Sequence, residues 1–218
     1  MAERLRLQSL PRKSAPDIWN TLREAMCRLI VANESTDQHV EPDSESDLVD
    51  RLLAEYRAFN VANHDLMARP FTGTSEVLTE LRHRGYKIAV VTSKGRELAL
   101  RGLKLFSLDQ LFDSAVFLED TNFHKPRPEP ILAALEKLNV SPSAAVYVGD
   151  SPHDIVAGRA AGVRSLAALW GPATRLELEL VQPDYVADSI FNLLDIFKHR
   201  GSASRLERTK KDVAGCQV

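Results

Sequence analysis

The sequence predicts an α/β fold, in which a parallel sheet carries helices on both faces and a helical segment precedes it. Between about residues 70 and 197, short runs that are apolar on both faces alternate with amphipathic helical patterns, as buried parallel strands and their crossover helices do. Residues 1–70 contain only helical patterns and polar loops. With 44% apolar and 27% charged residues in 218, the chain is suited to one domain or to a core with a small accessory domain.

The first region is predicted to be helical throughout. Residues 14–33 begin with Ser14, Pro16 and Asp17, which favour a helix start, and their later apolar residues recur on one helical face. The acidic loop EPDSESD follows, and residues 48–67 repeat the helical spacing of apolar side chains.

From residue 71 to residue 197, helices and strands are predicted to alternate. The first helix stops at Gly85, and the short apolar runs separated by amphipathic helices imply a parallel sheet with helices on both faces. Such sheets bind ligands at the carboxyl ends of their strands. The predicted elements are helix 74–85, strand 86–94, helix 96–108, strand 114–120, helix 128–140, strand 144–150, helix 153–162, strand 164–170, strand 184–188 and helix 189–199.

Polar residues suited to phosphate chemistry follow three of these elements. Thr92 and Ser93 end one strand, Lys125 lies in the loop HKPRPEP after the next, and Asp150 and Asp154 follow the strand AAVYVGD. Carboxylates are hard oxygen ligands for Mg²⁺, while a hydroxyl and an ammonium neutralise phosphoryl oxygens. Each feature alone is common in turns and helix starts, but their order with strands between them predicts a phosphoryl-transfer site.

Charge and cysteine content narrow the possible partners and the compartment. The net charge of −2 predicts no attraction to nucleic acid or to an anionic membrane. The sequence has no apolar run long enough to predict a membrane span. Only Cys27 and Cys216 are present, which favours a reducing, cytoplasmic setting. Residues 198–218 lack periodicity and lean basic, and they are predicted to form a disordered tail.

The motifs of the core resemble those of the haloacid dehalogenase (HAD) superfamily, and within it the helical-cap phosphatases of the phosphoglycolate phosphatase and pyrophosphatase groups. The resemblance covers roughly residues 50–197, and it implies a Rossmann-like core at 71–197 with a partial helical cap at 1–70. It further implies that Thr92 and Ser93 bind phosphate, that Lys125 neutralises the phosphoryl group, and that Asp150 and Asp154 hold or orient Mg²⁺. The implied substrate is a small phosphorylated molecule. The motifs are AEYRAFN, GYKIAVVTSK, GLKLFSLDQLFD, HKPRPEP, VGDSPHDIVAGRAAGV and PDYVAD.

The first motif of that family, a strand ending in D-x-D-G-T with the nucleophilic aspartate, does not occur in the 218 residues. The nearest string is DIWNT at Asp17, where Trp19 replaces the second aspartate and two prolines precede it. Prolines do not suit a central strand, so Asp17 is predicted to begin a helix. The sheet is therefore expected to lack its first, central strand, and the chain to be inactive for want of the nucleophile.

Three interpretations follow from the missing motif. The sequence is an N-terminally truncated HAD phosphatase, or it is a pseudoenzyme that binds phosphate, a metal or a protein without turnover. The third is another activity on the same scaffold, such as a dehalogenase or a phosphomutase; the spacing of Asp150 and Asp154 favours the phosphoryl branch over dehalogenation.

Overall fold

The computed structural model describes residues 45–198, in which helices and strands alternate as predicted, with one further short helix, Arg175–Leu180, between two strands that are predicted to be consecutive. A long helix, α1, spans Glu45–Met67 and precedes the alternating region. The remaining α-helices are α2 (Thr74–His83), α3 (Arg96–Leu105), α4 (Glu129–Leu138), α5 (Pro152–Ala160), α6 (Arg175–Leu180) and α7 (Asn192–Ile196). The strands are β1 (Ala89–Val91), β2 (Ser114–Val116), β3 (Val146–Gly149), β4 (Arg164–Ala168) and β5 (Tyr185–Ala187).

All the strand pairs in the described range are parallel, which confirms the predicted α/β class. One sheet consists of β1 and β2, with Val90 opposite Ala115. The other has the order β3-β4-β5, with Val148 opposite Leu166 and Ala167 opposite Val186. Within residues 45–198, no strand joins β1 to β3.

The two sheets share apolar layers on both faces. On one face Ile88, which precedes β1, and Val146 of β3 both pack against a cluster that includes Val77 of α2. On the other face Val91 of β1 and Tyr147 of β3 pack against the cluster of α4 and α5. Both sheets therefore pack against the same two apolar clusters. The expected lack of a central strand concerns residues before 45, which lie outside the described range, so the absence of the strand stays a prediction.

The observed strands are all shorter than their predicted ranges; β1, for example, spans Ala89–Val91 where a strand is predicted over residues 86–94. The sequence predicts a strand over residues 114–120, but the observed strand ends at Val116 and a 3-10 turn spans Leu118–Asp120. The carboxylate of Asp120 accepts a hydrogen bond from the Phe117 N–H at 3.1 Å, while the Leu118 N–H donates to the carbonyl of Lys94 at 3.2 Å. A local side-chain acceptor thus competes with the strand ladder.

The chain divides into two compact units, Met1–His64 and Asp65–Val218. The predicted boundary between cap and core at residue 70 lies a few residues later, and the domain assignment stays a prediction. The predicted helix at residues 14–33, Asp17 and most of the predicted tail at 198–218 lie outside the described residues. No helix in the described part of the chain is long and apolar enough to cross a membrane.

Candidate functional site

A buried ion pair lies at the carboxyl end of β3. The Lys125 Nζ donates to Asp154 Oδ1 at 2.7 Å, and only 13% of the lysine side chain and 7% of the aspartate side chain are exposed. Lys125 comes from the loop before α4, and Asp154 from the first turn of α5. The fold therefore brings together two residues that are 29 positions apart, as the sequence predicted.

Asp154 is held by protein donors on both of its oxygens. Its Oδ2 accepts hydrogen bonds from the Ser151 N–H at 3.2 Å and from the Ser151 hydroxyl at 2.7 Å. Its Oδ1 accepts from Lys125 and from the Tyr147 hydroxyl at 3.2 Å. Ser151 and Asp154 also form the capping box of α5. Asp154 therefore stabilises a helix start in addition to pairing with the lysine.

The second acid, Asp150, has a different electrostatic environment. Burial and the negative charge of Asp154 raise the pKa of Asp150 above its usual range. Burial also acts to raise the pKa of Asp154, but the charge and hydrogen bond of Lys125, with the hydrogen bonds of Ser151 and Tyr147, lower it below its usual range. Two neighbouring carboxyl groups thus have pKa values shifted in opposite directions, an arrangement typical of functional sites.

Two glycines provide the space for these acids. A Cβ at Gly149 would lie 2.1 Å from the Cβ of Asp154, and a Cβ at Gly171 would lie 2.2 Å from the Cβ of Asp150. Real Cβ atoms do not approach so closely, so any other residue at either position must displace an acid. Gly171, in the loop after β4, was missed by the sequence reasoning because no spacing rule links it to Asp150.

The predicted phosphate-binding hydroxyls lie at the end of β1, in the other sheet. The Thr92 N–H donates to the carbonyl of Val116 at 3.0 Å, and the Thr92 hydroxyl accepts from the Lys94 N–H at 3.1 Å. Thr92 is half-buried and Ser93 is exposed. Both stand at the carboxyl end of a parallel strand, as predicted, and their contact with a phosphoryl group stays a prediction.

The acids are of the right kind for a divalent cation. Within residues 45–198, no group of three or more His, Cys, Asp or Glu side chains could enclose a metal ion. Mg²⁺, however, binds through one or two carboxylates while keeping several waters and meeting a phosphate. Burial and the charge of Asp154 raise the pKa of Asp150, and a bound cation would favour its ionised form. The two acids therefore fit Mg²⁺, and their roles as ligands stay predictions.

Two polar partners of the site escaped the sequence reasoning. Tyr147 stands in a strand that was interpreted only as apolar, and Ser151 precedes a helix that was expected to start near His153. A hydroxyl inside an otherwise aliphatic strand, two residues before Gly149, is the signal that could have identified Tyr147.

The chain matches known proteins over this region. The family model of haloacid dehalogenase-like hydrolases matches residues 20–168. A protein from Caldanaerobacter subterraneus whose name includes the words pyrophosphatase PpaX is 48% identical over 147 residues, which are 67% of this chain and 67% of that protein. The pyrophosphatase PpaX of Bacillus mycoides is 42% identical over 148 residues, 68% of this chain and 69% of its own.

A solved structure supports the same fold. The crystal structure of a predicted phosphoglycolate phosphatase from Haemophilus somnus superposes with a TM-score of 0.69 at 24% identity, covering 82% of this chain and 77% of that one. The family match extends over more than half of the residues and agrees with the geometry of the motifs. The chain therefore belongs to the haloacid dehalogenase-like hydrolase family.

Proposed function

We propose that this protein has the site of a Mg²⁺-dependent phosphatase that takes a small phosphorylated substrate, either a phosphomonoester such as phosphoglycolate or pyrophosphate. The observation that carries the proposal is the buried Lys125–Asp154 pair beside Asp150 at the carboxyl end of β3. Phosphoryl transfer requires a cation such as Lys125 that neutralises the phosphate oxygens, and a carboxylate such as Asp150 that can hold the metal ion.

In this proposal each residue has a separate electrostatic task. Lys125, positioned by Asp154, neutralises the oxygens of the phosphoryl group, and Thr92 and Ser93 donate hydrogen bonds to them from the end of β1. Asp150, with Asp154 beside it, holds Mg²⁺. When bound, Mg²⁺ would add positive charge at the phosphate oxygens.

The substrate class is supported by the relatives and by the charge of the site. Two relatives carry the name pyrophosphatase, and a fold neighbour is described as a predicted phosphoglycolate phosphatase. Both substrates are small and anionic, which suits a compact site with one buried lysine. We propose neither a nucleic acid nor a membrane as a partner, and the low cysteine content supports a cytoplasmic setting.

We further propose that the 218-residue chain shows no turnover under either candidate function. A covalent route needs a nucleophile, and the D-x-D-G-T motif is absent from the sequence. The second candidate function is accordingly that of a pseudoenzyme that binds phosphate, a metal or a protein. The intact Lys125, Asp150 and Asp154 favour the phosphatase interpretation.

One observation on the coding DNA separates the two candidates. An in-frame apolar strand followed by D-x-D-G-T within about fifty codons upstream of Met1 would support the phosphatase. A stop codon in that interval would support the pseudoenzyme.

The proposed binding is tested by titrating the full chain with inorganic phosphate by calorimetry, with and without Mg²⁺. We expect saturable binding that requires Mg²⁺ and is lost in Lys125→Met and in Asp150→Asn. Binding that is equal in both variants and in the wild type would contradict the assignment of the site. Arg127→Met is the matched control, because Arg127 lies two residues from Lys125 but bonds Glu129 at 2.7 Å and stacks on Phe123.

A further inference from the structure

Tyr147 is the one aromatic residue of β3, and its hydroxyl contacts both members of the Lys125–Asp154 pair. The phenol oxygen is 3.1 Å from the Lys125 Nζ and 3.2 Å from the Asp154 Oδ1, while those two atoms are 2.7 Å apart. The three polar atoms therefore form a closed triangle, in which each is within hydrogen-bonding distance of the other two.

Chemistry fixes the direction of every bond in this triangle. An ammonium only donates and a carboxylate only accepts, whereas a phenol can do both. Lys125 must therefore donate to the Tyr147 oxygen, and the Tyr147 O–H must donate to Asp154. Burial, with the charge and hydrogen bond of Asp154, raises the pKa of Tyr147 above its usual range, which keeps the phenol protonated at neutral pH.

We propose that Tyr147 is a positioning residue, which fixes the direction of the Lys125 ammonium and thereby sets the affinity of the site for phosphate. The effect on phosphate rests on the proposed function, whereas the effect on the lysine stands on the geometry alone. Tyr147 acts through Lys125 and is not assigned a contact with the substrate.

The need for such a residue follows from the flexibility of lysine. The ammonium sits on a four-carbon stem with several rotatable bonds, and contact with one carboxylate oxygen does not by itself fix the direction of such a group. A second acceptor, set at a fixed place on a strand, removes this freedom. Tyr147 is suited to the task because its ring packs in the layer formed by α4 and α5, so that its hydroxyl has little room to move.

The other side of Asp154 is fixed independently. Ser151 supplies two hydrogen bonds to Oδ2, so Asp154 stays in place when the Tyr147 hydroxyl is removed. Tyr147→Phe is therefore expected to loosen the direction of the Lys125 ammonium while Asp154 stays in place. The substitution keeps the ring and its packing, which limits its effect on folding.

The test uses the full chain with ¹³C,¹⁵N-labelled lysine and measures hydrogen exchange and order of the Lys125 ammonium by NMR. Lys125→Met assigns the signal, and the exposed Lys104 serves as internal reference. We expect ammonium exchange in the wild type to be at least about tenfold slower than at Lys104, because a buried, hydrogen-bonded group is protected. Tyr147→Phe should reduce that difference measurably, while the ion pair with Asp154 keeps part of the protection. An unprotected Lys125 in the wild type would overturn the proposal without any variant.

Tyr185→Phe is the matched control, because Tyr185 also lies in a strand and its hydroxyl accepts a bond from Arg164 at 3.1 Å. It should leave the Lys125 signal unchanged. An equal loss of protection in both variants would overturn the proposal, since it would reflect general loosening of the sheet.

Phosphate binding in the presence of Mg²⁺ supplies the second readout. Tyr147→Phe should weaken the affinity for inorganic phosphate by about three- to tenfold, the effect of one lost hydrogen bond, while Tyr185→Phe should not change it. Unchanged affinity in Tyr147→Phe would overturn the assigned effect on phosphate. If the wild type binds no phosphate while the lysine loses protection in Tyr147→Phe, the proposed function fails and the positioning role is retained.

Discussion

The Lys125–Asp154 pair offers a quantitative test of the site, because both side chains are almost fully buried. At the observed separation of 2.7 Å, Coulomb's law with an effective dielectric constant of about 20 gives roughly 6 kcal/mol of attraction between unit charges. Desolvation of the two charges offsets much of that attraction. Removal of one partner, however, leaves the other charge buried and uncompensated, which costs about 3–5 kcal/mol.

We therefore expect Lys125→Met and Asp154→Asn each to lower the free energy of unfolding by about 3 kcal/mol. The double variant should lose only about 3–4 kcal/mol, because it leaves no isolated charge, so the coupling energy is about 2–3 kcal/mol. Urea unfolding of the full chain, followed by circular dichroism, gives the free energies of unfolding of the wild type, the two single variants and the double variant. The exposed pair Arg175–Glu179, with half of each side chain accessible, is the control and should couple by about 0.5 kcal/mol or less.

A coupling energy near zero for Lys125 and Asp154 would contradict the structure of the site. It would mean that the two groups do not share a buried environment, and that each pairs with water or with another residue. A large loss in Asp154→Asn together with a small loss in Lys125→Met would point instead to the helix cap formed with Ser151, since only the aspartate takes part in that cap.

Three further predictions concern the acids and their surroundings. Asp150→Asn should raise the stability of the metal-free chain at neutral pH by about 0.5–1 kcal/mol, because it removes a charge that burial and Asp154 disfavour. It should also abolish the rise in melting temperature caused by Mg²⁺, and a loss of stability in the metal-free variant would contradict the prediction. Gly171→Ala should lower stability by about 1–3 kcal/mol or displace Asp150 and weaken Mg²⁺ binding, and a variant unchanged in both melting temperature and Mg²⁺ affinity would contradict the 2.2 Å approach. Burial raises the pKa of Asp120, but the hydrogen bonds of the Phe117 N–H and Lys137 outweigh burial and lower that pKa overall. The ionised Asp120 therefore stabilises the fold above the ordinary carboxyl range, and this stabilisation is lost as the pH falls through the lowered pKa. Asp120→Asn should reduce the acid dependence of stability in urea titrations between pH 7 and 2, and an unchanged slope would contradict this prediction.

The order of the core elements was predictable, apart from the short helix α6, because local patterns specify it. The apolar runs at β1, β3 and β4 and the helix signals before α4 and α5 all lie where the structure places them. The end of β2 was not predictable from the apolar pattern alone, because it depends on the hydrogen bond that the Asp120 carboxylate accepts from the Phe117 N–H. Competition between a side chain and the backbone ladder is a three-dimensional matter.

The candidate site was predictable in its charged residues and not in its supporting ones. Lys125, Asp150 and Asp154 follow strands in a distinctive order, so their convergence at the end of β3 could be anticipated. The roles of Tyr147 and Gly171 depend on contacts between separate segments: the Tyr147 hydroxyl lies 3.1 Å from the Lys125 Nζ, and a Cβ at Gly171 would lie 2.2 Å from the Cβ of Asp150. Only the packing of α4, α5 and the loop after β4 onto the sheet fixes those distances.

The decisive measurement combines phosphate binding with turnover on the same preparation of the full chain. With Mg²⁺ present, we predict saturable binding of inorganic phosphate that Lys125→Met abolishes, and no hydrolysis of a generic phosphomonoester above the rate of that variant. Hydrolysis that disappears in Lys125→Ala or Asp150→Asn would contradict the predicted lack of a nucleophile. Absence of phosphate binding in the wild type would contradict the assignment of the site itself.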